Sequence, residues 1–169
     1  MATLVAADWR VTVMDIAGRD GVLNVDATSE DQLSGALRHC GEVNALICLT
    51  RAPCPAMLQA TTWQDWQRVM ATHATAALLS MRCAQLRPGG AIVLRTRSVV
   101  AGIPAAIAAA DGAVLGLARA ASGGFAPRAV RVNAVIEQDT LQAAASAAAI
   151  AWLVSGRASF VTGAELRIG

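Results

Sequence analysis

The 169-residue sequence predicts one α/β domain, a mainly parallel sheet with helices on both faces. Three observations lead there. From residue 43 onward, short apolar runs of strand character alternate with longer segments of helical period. The stretches between those runs are long enough for the helical crossover that parallel neighbours require. A chain of this length buries roughly 70% of its unfolded surface, so residues 1–169 are expected to share a single core.

Residues 10–16 (RVTVMDI) and 22–27 (VLNVDA) alternate as strands do. Ser29 and Gln32 form a capping-box pattern that opens a helix running to about Cys40. Residues 43–49 (VNALICL) form a continuous apolar run suited to a strand covered on both faces. Thr62 and Asp65 then cap a long helix extending to about Leu86, which Pro88, Gly89 and Gly90 end. Residues 91–96 (AIVLRT) read as a strand, 105–122 as a helix, 129–135 as a strand, 140–155 as a helix and 159–168 as the last strand.

The first third departs from this alternation. Five residues, 17–21, separate RVTVMDI from VLNVDA, and about two separate TLVA at 3–6 from the strand that follows. Adjacent parallel strands need a longer connection than either. The expectation is therefore a short antiparallel meander of residues 3–6, 10–16 and 22–27, with residues 1–9 the least determined part.

Hydrophobic residues make up 55% of the chain and charged residues 15%, which suggests more apolar surface than one subunit hides. Fourteen arginines against 12 acids give a net charge of +2, and the arginines are dispersed, so nucleic-acid binding has little support. The apolar stretches at 101–118 and 141–154 are built mostly from alanine, and the first carries Asp111, unlike a membrane span. The opening MATLVAADW has no basic leader ahead of an apolar run, so a cytoplasmic protein is expected. Cys40, Cys48, Cys54 and Cys83 lack C-x-x-C spacing, Cys48 and Cys83 fall in apolar elements suited to reduced thiols, and His39 and His73 form no local motif. No metal site is expected.

Five segments in order, DWQRVMATHATAALL at 65–79, PGGAIVL at 88–94, GAVLGLARA at 112–120, APRAVRVNAV at 126–135 and AWLVSGRASFVTGAEL at 151–166, resemble the short-chain dehydrogenase/reductase (SDR) family. WRVTVMDI and NVDATSED are weaker likenesses to that family's second and third strands. The resemblance implies a Rossmann-like fold in degenerate, truncated form. Active members of the family reduce carbonyls with a Tyr-x-x-x-Lys pair, and this chain contains neither residue type. The alignment puts Ile107 at the tyrosine position, Asp111 at the lysine position and His73 at that of the helix asparagine. The N-N-A-G strand motif reads Cys48 to Arg51, and Ser98 is the nearest candidate for the serine.

The family's cofactor seat is a glycine-rich turn between the first strand and first helix. No G-x-x-x-G-x-G spacing occurs here, and Asp15 and Asp26, which sit where family members meet the adenosine, read as strand-end and turn acids. The substrate lid is missing too, since residues 136–140 lead almost directly into the last helix. Taken together, the resemblance implies no cofactor and no catalysis by this chain alone. It implies a non-catalytic subunit assembled with an active SDR homologue, as a heterotetramer, in an NAD-dependent alcohol dehydrogenase acting on a CoA thioester in aromatic (toluene) degradation.

The expected interface is a helix face of Trp63, Trp66, Met70, Ala74, Ala77 and Met81, with Val69, Leu78 and Leu79 in another sector facing the sheet. Two alternatives remain. One is a binding module in which Arg51, Arg95 and Arg97 hold an anionic group such as a CoA phosphate or a carboxylate. The other is a repurposed enzyme using His73, Ser98 or Asp111.

Overall fold

The computed structural model describes residues 2–5, 7–17, 20–49, 53–54, 56–97, 102–138 and 143–169. In order they form α1 (Ala2–Val5), β1 (Met14–Asp15), β2 (Leu23–Asn24), α2 (Glu30–Cys40), β3 (Val43–Cys48), α3 (Trp63–Met70), a π-helical turn (Ala71–Thr75), α4 (Ala76–Cys83), β4 (Leu86–Arg97), α5 (Ala105–Phe125), β5 (Arg131–Glu137), α6 (Ala143–Val154) and β6 (Glu165–Ile168). Strands β3-β4-β5-β6 make one parallel sheet in that order, and β1 pairs with β2 in a separate two-stranded sheet. The α/β class and the parallel sheet are as expected from the alternation of elements.

Every residue of β5 is buried, as befits a strand flanked on both edges and covered on both faces. The period-two alternation sorts the side chains. Ile92, Leu94, Val132 and Ala134 join Leu33, Leu37, Val114 and Ala118 in one core cluster. Ala91, Val93 and Val135 join Ile150, Leu153, Val154 and Leu4 in another, on the α6 side. Helix α5, with the turn that follows, is long and apolar enough to cross a membrane (Ala105–Arg128). Its face of Ala106, Ile107, Ala110, Asp111, Val114 and Ala118 is buried within the domain, the position of a core helix.

Local chemistry explains the helix starts. The Ser29 side chain accepts the N–H of Gln32, and Gly41 ends α2 at a positive φ of 67°, which glycine adopts without strain. Thr62 accepts the N–H of Asp65 and donates its hydroxyl to the Asp65 carboxylate.

The N-terminal expectation is corrected. Residues 2–5 form a short helix, and β1 and β2 run parallel, with Leu23 N–H on Val13 O and Val25 N–H on Asp15 O. The hairpin argument assumed strands of six or seven residues. Each observed strand pairs over two, and the connecting residues 16–22, at about 3.3 Å each, readily return the chain over so short a length.

The long helix also ends earlier than expected, at Cys83, because Leu86 already belongs to β4, pairs with Val43 and is fully buried. Pro88, Gly89 and Gly90 therefore lie within a strand, at a register shift opposite Val43 and Ala45. A bulge tolerates the missing N–H of proline. A Cβ on Gly90 would stand 2.9 Å from Arg87 O and 3.0 Å from Asn44 O, so only glycine fits. β5 starts two residues later than expected, after Ala129 at φ 53°. The last strand is confined to Glu165–Ile168, and Gly163, at φ 71°, breaks the extended backbone just ahead of it.

The π turn corrects the expected helix face. An inserted residue rotates everything after it by about 100° relative to a continuous α-helix. Ahead of the turn Trp63 is 71% exposed, and Trp66 and Met70 are half-buried, as is Ala74 within it. Beyond it, Ala77 and Met81 are buried in this chain's own core, while Leu78, assigned to the sheet side, is exposed.

Candidate functional site

Strand β4 runs Ile92, Leu94, Thr96 along one face, so the period that builds the core also delivers a hydroxyl to the carboxyl end of the sheet. Asp111 stands in the second turn of α5 and His73 in the π turn, and both are only 3% exposed. Thr96 Oγ1 donates to Asp111 Oδ1 at 2.7 Å, and His73 Nδ1 lies 3.6 Å from the same oxygen. Asp111 Oδ2 is buried and has no hydrogen-bond partner among the described residues.

The structure thus brings together His73 and Asp111, two residues singled out from sequence. It adds Thr96, which the sequence reading passed over and which its parity with Ile92 and Leu94 would have found. A buried carboxylate is costly unless donors and a nearby cation offset it. Here the Thr96 hydroxyl donates to it and the His73 imidazole lies beside it in a place closed to solvent, so the cluster ties helices to sheet.

Ile107, one turn before Asp111, is buried with Cys54, Val69, Ala106 and Ala110, against Trp66 and Met70. An apolar side chain thus fills a packed site where a phenol would need room and a partner for its hydroxyl. Asp26 Oδ1 accepts both the N–H (2.8 Å) and the hydroxyl (2.7 Å) of Thr28, and these bonds hold its carboxyl below the usual range. Asp15 accepts the N–H of Ala17 at 3.1 Å. Asp15 ends β1 and Asp26 holds the turn at Thr28, the strand-end and turn places read from sequence.

Arg95 forms an ion pair with Glu137, on the neighbouring strand, so its charge is already engaged. Arg97 is half-buried at the end of β4. Arg51 and Ser98 lie outside the described residues, as do residues 139–142 of the expected lid-to-helix connection. The Cys48 thiol is pushed up to about 12 by burial. Among the described residues no group of three His, Cys, Asp or Glu side chains is placed to hold a metal.

A dinucleotide needs a strand that ends in a small-residue turn at a helix N-terminus. The only described element ahead of β1 is the four-residue helix α1, whose Leu4 is buried in the α6-side core. Among the described residues no helix lies between β1 and β2. The described residues therefore do not fit a pyrophosphate, and no chemical step is assigned to such a cofactor.

A family model described as enoyl-(acyl carrier protein) reductase matches residues 6–145, most of the chain. The chain belongs to the short-chain dehydrogenase/reductase family. Solved structures are similar to this SDR chain along nearly its whole length. A short-chain dehydrogenase/reductase from Serratia marcescens is 21% identical, with a TM-score of 0.86 over 99% of this chain and 89% of that one. The aldohexose dehydrogenase of Thermoplasma acidophilum, in ligand-free form, is 18% identical, with a TM-score of 0.86 over 99% and 85%. A dehydrogenase/reductase from Sinorhizobium meliloti is 25% identical, with a TM-score of 0.76 over 85% and 71%. No curated protein matches this SDR chain significantly.

Proposed function

We propose that this SDR chain is a non-catalytic subunit that assembles in the cytoplasm with an active member of its family and supports a heteromeric NAD-dependent alcohol dehydrogenase. One observation carries the reading. The positions that the resemblance assigns to the catalytic tyrosine and lysine are Ile107, packed in an apolar cluster, and Asp111, bonded to Thr96 and closed from solvent. The absence of tyrosine and lysine from the sequence and the lack of a pyrophosphate cradle point the same way.

The surface supports assembly. Trp63 is 71% exposed at the start of α3, Met57 and Leu58 a few residues earlier in the chain are exposed too, and Phe160 is 99% exposed ahead of β6. The interface face is accordingly Trp63, Trp66, Met70 and Ala74, without the buried Ala77 and Met81. Heteromeric family members with one degenerate subunit, including 2-[hydroxy(phenyl)methyl]succinyl-CoA dehydrogenase of anaerobic toluene degradation, suggest a heterotetramer acting on a CoA thioester.

The anion-binding alternative is weakened by the engagement of Arg95 with Glu137. The repurposed-enzyme alternative is weakened by the burial of His73 and Asp111. Co-expression with SDR dehydrogenases encoded beside it, native mass measurement and a cofactor titration of the isolated chain test the proposal. The expected outcome is a defined hetero-oligomer and no saturable NAD(H) binding by this chain alone. A lone monomer in every pairing, or NAD(H) bound to the isolated chain, overturns it.

A further inference from the structure

At the opposite end of the sheet from Asp111, the amino ends of β3, β4 and β5 border a cavity of ≈ 430 Å³ lined by Trp9, Asn44, Gly90, Arg131, Val154 and Ser159, among others. That volume lies within the range of small-molecule sites, about 300–1,000 Å³. Arg131 is buried there. Its Nη1 donates to Leu153 O at 2.7 Å and, more weakly, to Val161 O at 3.5 Å, and its Nη2 donates to Ser155 O at 3.2 Å.

Those bonds engage three of the five N–H groups of a guanidinium. No carboxylate of the described residues lies within ion-pair distance of it. Carbonyls satisfy donors but carry no net charge, and burial opposes the cation, lowering the Arg131 pKa. A buried guanidinium that keeps unused donors and borders a cavity is half of an ion pair.

The surroundings have the matching sign. Arg87 and Arg157 adjoin the lining residues Pro88 and Gly156 in sequence, and Arg128 donates to Leu86 O beside them. Of the nearby acids, Glu42 faces Arg87 at 3.6 Å, and Asp8 adjoins the lining residue Trp9 in sequence, as Arg10 does, which leaves the basic groups in excess. Asn44 and Ser159 bring neutral polar groups, and the half-buried Trp9 brings a flat apolar surface. We infer that this cavity is a binding site for a small organic anion, a carboxylate or phosphate ester with a flat apolar body, with Arg131 as its counter-charge. The site is separate from the sheet mouth and does not depend on the proposed assembly.

The test titrates the isotope-labelled full chain with benzoate and, separately, with inorganic phosphate, following the Trp9 indole N–H resonance. A saturable shift with a dissociation constant of about 10 mM or tighter is expected for at least one anion. Saturation by benzoate alone identifies an aryl carboxylate, and saturation by phosphate alone identifies a phosphate group. Asn44 and Ser159 are exposed, so Asn44→Asp and Ser159→Asp should fold normally and weaken binding about tenfold or more by placing a carboxylate in the cavity. Arg131→Gln should abolish binding, and should that variant fail to fold, the two exposed variants decide. No movement of Trp9 with either anion, unsaturable movement, or binding unchanged in both aspartate variants overturns the inference.

Discussion

Thr96 donates a 2.7 Å hydrogen bond to Asp111, tying the carboxyl end of β4 to the second turn of α5 through a pair of side chains closed to water. Hydrogen bonds to charged groups contribute about 1.5–3 kcal/mol, and removing one partner leaves the other buried without its donor. Thr96→Val keeps the shape and deletes the hydroxyl. Denaturant unfolding should show a loss on that order, with Thr96→Ser close to the parent. An unchanged midpoint in Thr96→Val would mean that the bond contributes nothing to stability.

Gly90 offers a backbone test. Its missing Cβ is what allows Arg87 O and Asn44 O to approach as they do at the β3–β4 bulge. Gly90→Ala forces backbone atoms apart, so the reduced unfolded-state entropy that favours alanine at an unstrained site is overwhelmed. A loss above about 1 kcal/mol is expected in thermal or denaturant unfolding. A stabilised variant would contradict the bulge geometry.

Asp26 gives a pH dependence with a definite sign. Bonds from Thr28 lower its folded pKa below the ordinary value of 3.8. Its contribution to stability is therefore present above that value and is lost as pH falls through the lower folded one. Asp26→Asn should flatten the acid limb of the stability curve below pH 3.8 and leave the dependence at neutral pH unaltered. Parallel acid limbs in parent and variant would exclude this linkage.

Cys48 lies in β3 with its thiol pushed up to about 12 by burial, so almost no thiolate exists at neutral pH. Iodoacetamide should label the half-buried Cys40 and Cys83 well before Cys48, which should react only on unfolding. Peptide mass analysis over a time course reads the order. Early labelling of Cys48 in the folded chain would refute its burial.

Much of the fold was legible because its signals are local. The Ser29 and Thr62 caps, the apolar run of β3 and the start of α5 each depend on a few neighbouring residues, and each stands close to where those residues place it. Errors arose where one unit decided the fate of the next. The π turn at Ala71–Thr75 changes the phase of α4, so Ala77 and Met81 moved from an expected outer face into the core. The pairing of Leu86 with Val43, across more than forty residues, overrode the helical period before Pro88.

By itself the sequence determined that these 169 residues hold no tyrosine and no lysine, and so present no Tyr-x-x-x-Lys pair in any conformation. From residue 10 onward it also determined the order of strands and helices through caps and apolar period. Tertiary structure alone brought Thr96, Asp111 and His73 together, since they come from a strand, a helix and a π turn far apart in the chain. It alone decided that Arg131 is a buried cation beside a cavity. Side-chain type is carried by each residue, whereas burial and partnership belong to the packed whole.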